Sequence, residues 1–443
     1  MWRSMKAQIY IISFVLAIGY QTWADSGTDY IKIVKQDGRP LFQSKKFGIF
    51  FSVGSNSFME SAANLKMKEA FKHRSIDSIY EEQFKSYLEF GFNSLGGWSN
   101  TEFLKGRLPY SIVLFDDEKY PHASPLKDCK GNTLPSGDAQ PIPNPFNDPF
   151  DQKYINDVKK YLKSKIQPVA HDTSLMLYWV GHEFGVGGSD YIDLAQFTYS
   201  KGVQEKFTAW LKKKYNSVSS IQTAWRVKGK SFEEITVTCP QNKTPAETLD
   251  RKEFMSYVLR TWFELVVDEI RKNDHNHLIS TPKLSIWDHN PQLGLAEKDG
   301  HFIAMKGLFD IISVDWYTAN SEFSNQSLSQ ILRLSSYLNI PVLVAEFGTR
   351  QKIEGWTNTP GAKTLLNTQE ERGERYRSQI MQLFSNKAFI GAHWFRWQDH
   401  ITQTDQMNKG IVSTNGGKIE PYSTLQNAMA HSHKEILGKI KTK

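Results

Sequence analysis

Two glutamates stand in matching surroundings. Glu183 sits in "YWVGHEFG" (Tyr178–Gly185) and Glu346 in "VLVAEFG" (Val342–Gly348). Each follows a short apolar run and precedes Phe-Gly. Two carboxylates facing one cleft are the minimum set for cutting a glycosidic bond. One must be protonated to release the leaving oxygen, and the other must stay ionised to attack the sugar carbon. A single glutamate at the end of an apolar run more often caps a turn or makes an ion pair. The same context occurring twice favours chemistry. Metal chemistry is less well served. His182-Glu183 is followed by "FGVGG", so the second histidine of a zinc H-E-x-x-H is missing. His289, His301, His393 and His400 share no ligand spacing, and "DHNH" (Asp274–His277) falls at a helix end. There is no G-x-S-x-G for serine catalysis, and no G-x-G-x-x-G or P-loop for nucleotides. Neither a metal nor an organic cofactor is expected.

The elements that must position these glutamates alternate between short apolar runs and helix-like segments. "KFGIFFSVG" (Lys46–Gly54) reads as a buried strand, and "IDSIYEEQFKSYLEFG" after it as a helix stopped by Gly91. "FNSLGGW" and "YSIVLFDD" read as the second and third strands. A long polar connection, Tyr120–Pro149, then leads to a helix and the fourth strand, "SLMLYWVG". A long helical excursion spans Gly185–Asp250 and continues into "EFMSYVLRTWFELVVDEIRKN". The remaining strands are "LISTPKLSI", "DIISVDWY", "PVLVAEFG" and "FIGAHWFRW", with helices before the seventh and eighth. Short runs of this kind suit strands buried on both faces. Eight such units predict an α/β fold, a (β/α)8 TIM barrel with long βα-loop insertions. A doubly wound open sheet is the competing architecture. "QDGR" inside residues 25–45 predicts a small N-terminal β-hairpin packed under the barrel. Residues 46–443 are assigned to the barrel domain.

In a barrel the reactive groups lie at the C-terminal ends of the strands. The polar and aromatic residues there are Asn56, Trp98, Asn100, Asp116, Asp117, His182, Glu183, Trp287, Asp288, Tyr317, Glu346, His393, Trp394, Trp397 and Asp399. Strands four and seven lie on opposite sides of a small barrel's mouth, which brings Glu183 and Glu346 face to face.

Composition narrows the class further. The chain has 443 residues, 40% of them hydrophobic and 23% charged, enough for one large folded domain. Its +7 charge falls to +5 without Arg3 and Lys6, and the other lysines scatter along helix faces such as "VKKYLKSK". Without a basic arm or motif, no nucleic-acid partner is inferred. Arg3 and Lys6 precede the apolar run "IYIISFVLAI" and the end "QTWA" at Ala24, the pattern of a cleaved signal peptide over residues 1–24. Its run is too short to span a bilayer comfortably. A secreted or periplasmic chain beginning near Asp25 is expected, in contact with membrane only through that leader. Cys129 and Cys239 are the only cysteines, and pairing and free thiols both stay open.

Taken together, residues 30 to 425 resemble the retaining glycoside hydrolases of clan A, most of all the agarases of family 50 and the β-galactosidases of family 42. "EFGFNSLGGWSN" is similar to the agarases' second-strand segment, and "FTAWLKKKYNSVSSIQTAW" to the excursion after strand four in both families. "YWVGHEFG", "VLVAEFG" and "GAHWFRWQDH" are similar to the acid/base, nucleophile and eighth-strand segments. The resemblance implies a poly- or oligosaccharide substrate, Glu183 as acid/base and Glu346 as nucleophile, with the carboxylates roughly 5–5.5 Å apart. It makes Tyr317 a hydrogen-bond donor to the nucleophile. Trp394 becomes the sugar platform, with Trp397 and Trp98 as alternatives. Asn56, Trp287 and Asp288 complete the expected sugar-binding set. Clan members usually carry asparagine before the acid/base, where it binds the sugar's 2-hydroxyl; this chain has His182 there. Histidine can also donate to a hydroxyl. The alternative is a barrel that binds carbohydrate without cutting it.

Overall fold

The computed structural model describes residues 29–60, 73–117, 119–135, 146–184, 193–239, 244–288, 301–354, 365–401, 406–413 and 423–441. The expected leader, residues 1–24, lies outside them. The described chain opens on an antiparallel sheet of β1 (Lys32–Gln36), β2 (Arg39–Ser44) and β3 (Gly48–Phe50). The expected hairpin turns at Asp37 and Gly38, both at positive φ, as a two-residue turn requires. The run read as one strand from Lys46 to Gly54 is divided. Gly48, at φ 71°, swings the chain so that Gly48–Phe50 pairs back on β2. Only β4 (Ser52–Ser55) enters the barrel.

Seven further strands complete the ring. They are β5 (Ser94–Leu95), β6 (Tyr110–Val113), β7 (Leu175–Trp179), β8 (Leu278–Trp287), β9 (Ile311–Tyr317), β10 (Val342–Phe347) and, after the short β11 (Arg350–Gln351) and β12 (Leu365–Leu366), β13 (Phe389–Trp394). Neighbours are parallel throughout, and β13 closes on β4, giving the closed (β/α)8 barrel. The eight expected strands are these, in the expected order. The open-sheet alternative is excluded because no strand of the ring has a free edge.

Side chains alternate between two cores. On β9, Ile312, Val314 and Trp316 face the surrounding helices, while Ile311, Ser313, Asp315 and Tyr317 take the inward parity. At the bottom, Ile31, Phe42 and Phe50 of the N-terminal sheet pack against Met176, Leu177, Trp179, Ile311, Leu343 and Ile390 and seal the barrel. Above this apolar plug lies a layer of hydrogen-bonded small polar groups. Trp179 Nε1 donates to Ser313 Oγ at 2.7 Å, and Ser52 Oγ lies 2.8 Å from His393 Nε2.

Among the described residues, the excursion after β7 holds a short 3-10 turn, Leu194–Gln196, and the α-helices Lys201–Tyr215, Val218–Trp225, Phe232–Val237 and the 29-residue Pro245–Asn273. Thr244 caps the last of these, with Pro245 in its first turn. Cys129 and Cys239 form a disulfide with Cα atoms 5.3 Å apart, tying the connection after β6 to the excursion. No helix among the described residues is long and apolar enough to cross a membrane. The bridge spans 110 residues of sequence. In the chain-entropy account, replacing both cysteines by serine lowers stability by about 4–5 kcal/mol. A melting temperature equal to that of the wild type would contradict this.

Candidate active site

The segment carrying Glu183 leaves β7 through a turn that demands glycine. Gly181 has φ 111°, and a Cβ there would meet the Phe184 ring at 1.8 Å. Glu183 itself sits at φ 47°, a left-handed conformation that non-glycine residues adopt at a cost. Backbone bonds to β8 fix it: Glu183 N donates to Lys283 O at 3.0 Å, and Lys283 N to Gly181 O at 3.0 Å.

Two β-bulges aim the other charged residues. On β8, Ser280 pairs with Ile311 but Lys283 pairs with Ser313, so one extra residue is accommodated around Pro282. Regular alternation from inward Ser280 would turn Lys283 outward. The bulge turns it in, and Thr281 Oγ1 accepts a hydrogen bond from Ser313 N at 3.0 Å across the gap. On β10, Leu343 and Ala345 belong to the inner core, so alternation would send Glu346 outward. A register shift between Val344 and Glu346 instead sets Glu346 beside Asp315, and Phe347 joins the outer core.

The result is a buried charged cluster. The Lys283 ammonium donates to Glu346 Oε1 and lies 3.4 Å from Asp315 Oδ2. Tyr317 donates its hydroxyl to Glu346 Oε2 at 2.7 Å. His182 Nδ1 is 3.2 Å from Asp315 Oδ2 and 3.9 Å from Glu346 Oε1, while its Nε2 is 3.9 Å from Glu183 Oε2. Burial pushes Glu183 up to about 8, reinforced by the charges of Asp315 and Glu346. Burial would raise Glu346 too, but Lys283, with the Tyr317 hydroxyl, outweighs it and holds that carboxyl below its ordinary range. Burial, then Glu346, lifts Asp315 well above the carboxylate range. His182 is lowered by burial and by Lys283, and so is neutral. At neutral pH Lys283 is thus the cluster's cation and Glu346 its ionised carboxylate, with Asp315 and Glu183 pushed toward the protonated form. His182, Glu183 and Asp315 form the one group of potential metal ligands among the described residues, their ligand atoms within 4.8 Å of one another. The Lys283 ammonium already supplies the positive charge at that position.

His182, Glu183, Tyr317 and Glu346 floor a cavity of about 500 Å³ at the barrel mouth, walled by Trp98, Asp116, Trp287, Arg350, Phe395, Arg396 and Lys409. Trp287 stacks on Tyr317 at 5.1 Å, and Trp98 meets His182 edge-on at 4.8 Å. Arg396 pairs with Glu60 at the rim. Six of the expected site residues thus converge: Glu183, Glu346, His182, Tyr317, Trp98 and Trp287. Four do not line the cavity. Trp394 follows inward His393 and takes the outer face of β13, packed against Phe347 and Tyr376 and fully buried. Trp397 is sealed among Phe58, Tyr87 and Phe90, its indole donating to Gln83. Asp288 accepts from Trp316 Nε1 and from Ser324, the cap of the helix Asn325–Leu338. Asn56 ties the β5 end to β10, accepting from Gly97 N and donating to Ala345 O. Sequence reasoning missed Lys283 and Asp315. A lysine and an aspartate inside apolar strands were the available signal, since such residues are rarely buried unless paired.

Comparison with known proteins places this architecture. The beta-galactosidase family, glycoside hydrolase family 42, matches residues 118–434, and the chain belongs to it. Beta-agarase B of Vibrio sp. (strain JT0107) is 22% identical over 395 residues, covering 84% of this chain and 38% of the relative. This chain thus spans well under half of that protein's length. The structure of an exo-beta-agarase superposes with a TM-score of 0.74 at 15% identity, over 93% of this chain and 66% of that one. A beta-galactosidase from the Antarctic haloarchaeon Halorubrum lacusprofundi gives 0.53 at 14% identity, over 87% and 58%. The last two are likenesses of fold.

The raised Glu183 carboxyl has a consequence for stability. Its unfolded value is about 4.3, so between roughly that pH and about 8 the native state holds a proton that the unfolded state has released. Stability then falls as pH rises through that window. Glu183→Gln removes the cost: the variant should melt with the wild type near pH 4 and at a higher temperature at pH 8. A melting difference that does not change with pH would contradict the buried acid.

Proposed function

We propose that this chain is a retaining β-glycosidase of the agarase and β-galactosidase type, acting on β-linked poly- or oligosaccharides. The observation that carries the proposal is the opposed state of two buried carboxyls on one cavity. Glu183 keeps its proton to about 8, and Glu346 is held ionised by Lys283 and Tyr317. That separation is what double displacement requires. Glu346 attacks the anomeric carbon as the glycosidic C–O bond breaks, and Glu183 passes its proton to the departing oxygen. Glu183, now a carboxylate, takes a proton from water as the water's oxygen displaces Glu346 from the sugar. Glu346 and the protonated Glu183 are restored.

The walls suit a sugar. Trp287 over Tyr317 offers a flat apolar surface beside the nucleophile. His182 occupies the place from which a donor reaches the sugar's 2-hydroxyl. The Cys129–Cys239 bridge supports export through the N-terminal leader, since disulfides persist in oxidising compartments. A polymeric glycan is met there.

A 2-fluoro glycoside that traps the intermediate should label Glu346, identified by peptide mass spectrometry. Label on another residue, with hydrolysis intact in Glu346→Gln, would overturn the assignment. Glu183→Gln should lose about 10²–10⁴-fold on unactivated glycans and far less on glycosides with an acidic leaving group. Turnover should fall as pH rises through about 8, where Glu183 loses its proton. Tight glycan binding in calorimetry, with no product from any glycan that binds, would favour the non-catalytic alternative.

A further inference from the structure

We propose that Lys283 is the positioning residue that keeps Glu346 ionised and aimed, acting entirely from beneath the cavity without touching the sugar. This rests on the nucleophile reading of Glu346. Lys283 is wholly buried and does not line the cavity. Its ammonium lies 4.2 Å over the Trp98 ring and 5.5 Å from the Trp179 ring, with the carboxyls of Glu346 and Asp315 and, at 3.4 Å, the neutral His182 Nδ1 as its acceptors. The rings leave it no path to water, so its charge can be balanced only by those carboxylates. A buried ammonium without a counter-ion is too costly to persist. The bulge around Pro282 is what turns it inward, a departure from regular pairing of the kind found beside active sites.

Among the described residues, the titratable groups clustered around Glu346 fit this division of labour, while Arg350, Arg396, Lys409 and Glu60 line the wall of the same cavity. Lys283 comes from β8, Asp315 and Tyr317 from β9, His182 and Glu183 from the end of β7, and Asp116 from beyond β6. Asp116, Glu183 and Asp315 are all raised by burial, and His182 is lowered by it. Lys283 is the one member raised by its partners, Asp315 and Glu346, against the burial that would lower it. Asp315 competes with Glu346 for the ammonium, so removing its charge should leave Lys283 to the nucleophile alone.

The test follows the carboxyl itself. In protein carrying ¹³C at glutamate Cδ, the Glu346 signal is assigned by its loss in Glu346→Gln and titrated in wild type, Lys283→Met, Lys283→Arg and Asp315→Asn. Lys283→Met should raise the Glu346 titration by at least one unit, and Lys283→Arg should return it toward wild type. Asp315→Asn should leave it at or below the wild-type position. An unchanged titration in a cooperatively melting Lys283→Met, or a rise in Asp315→Asn, overturns the proposal. The Asp315→Asn arm stands even where Lys283→Met fails to fold. In parallel, the acid limb of kcat/KM on 4-nitrophenyl β-D-galactoside and agarose oligosaccharides should move with the titration, with KM little changed. Absence of wild-type turnover on both probes would count against the hydrolase reading, while the titration still decides the role of Lys283.

Discussion

The mouth of this barrel depends on one buried ion pair, Lys283 with Glu346. Removing an ammonium and a carboxylate from water costs several kcal/mol per ion, and mutual attraction offsets this only with good geometry. Here two aromatic rings flank the cation, and a tyrosine hydroxyl completes the anion. That pair sets the cluster's charge balance, and burial drives its neighbours toward neutrality. Asp315 and Glu183 are pushed toward the protonated form and His182 toward the neutral one. The raised Glu183 carboxyl and the ionised Glu346 are thus two consequences of one electrostatic constraint.

The rest of the fold serves to make that pair possible. The N-terminal sheet closes the barrel bottom with Phe42 and Phe50, excluding water from below. The serine and histidine layer above it gives the charged cluster a polar but uncharged floor. Burial and Lys283 push His393 down to about 3, so it stays neutral beneath the ammonium. Asn56, which makes no cavity contact, fixes the β10 backbone at Ala345, one residue before Glu346. His182 is held against Asp315 through Nδ1, which leaves Nε2 toward Glu183.

Much of this was legible in the sequence, for identifiable reasons. The eight strands were readable because each is a short run buried on both faces and bounded by polar turns. Glu183 and Glu346 were readable because each follows such a run. What alternation could not supply was facing. A bulge adds one residue and inverts every later side chain, and nothing in "LISTPKLSI" beyond its proline marks where that happens. Lys283 was therefore passed over as part of a strand. The resemblance implies Trp394 as a platform, yet its parity puts it against Tyr376 outside the ring. The division of Lys46–Gly54 was hidden for a related reason: Phe50 and Phe51 are equally apolar but belong to different cores.

In the proposed mechanism an ionised Glu346 attacks the sugar carbon directly, with Glu183 supplying and then removing the proton. The decisive measurement is the anomeric configuration of the first-formed product, followed by proton NMR before mutarotation during hydrolysis of a β-linked galactan oligosaccharide. Direct attack by Glu346 predicts that the β-anomer appears first and the α-anomer grows in only as mutarotation proceeds. Initial release of the α-anomer would mean that water, not Glu346, reaches the carbon, and would contradict it.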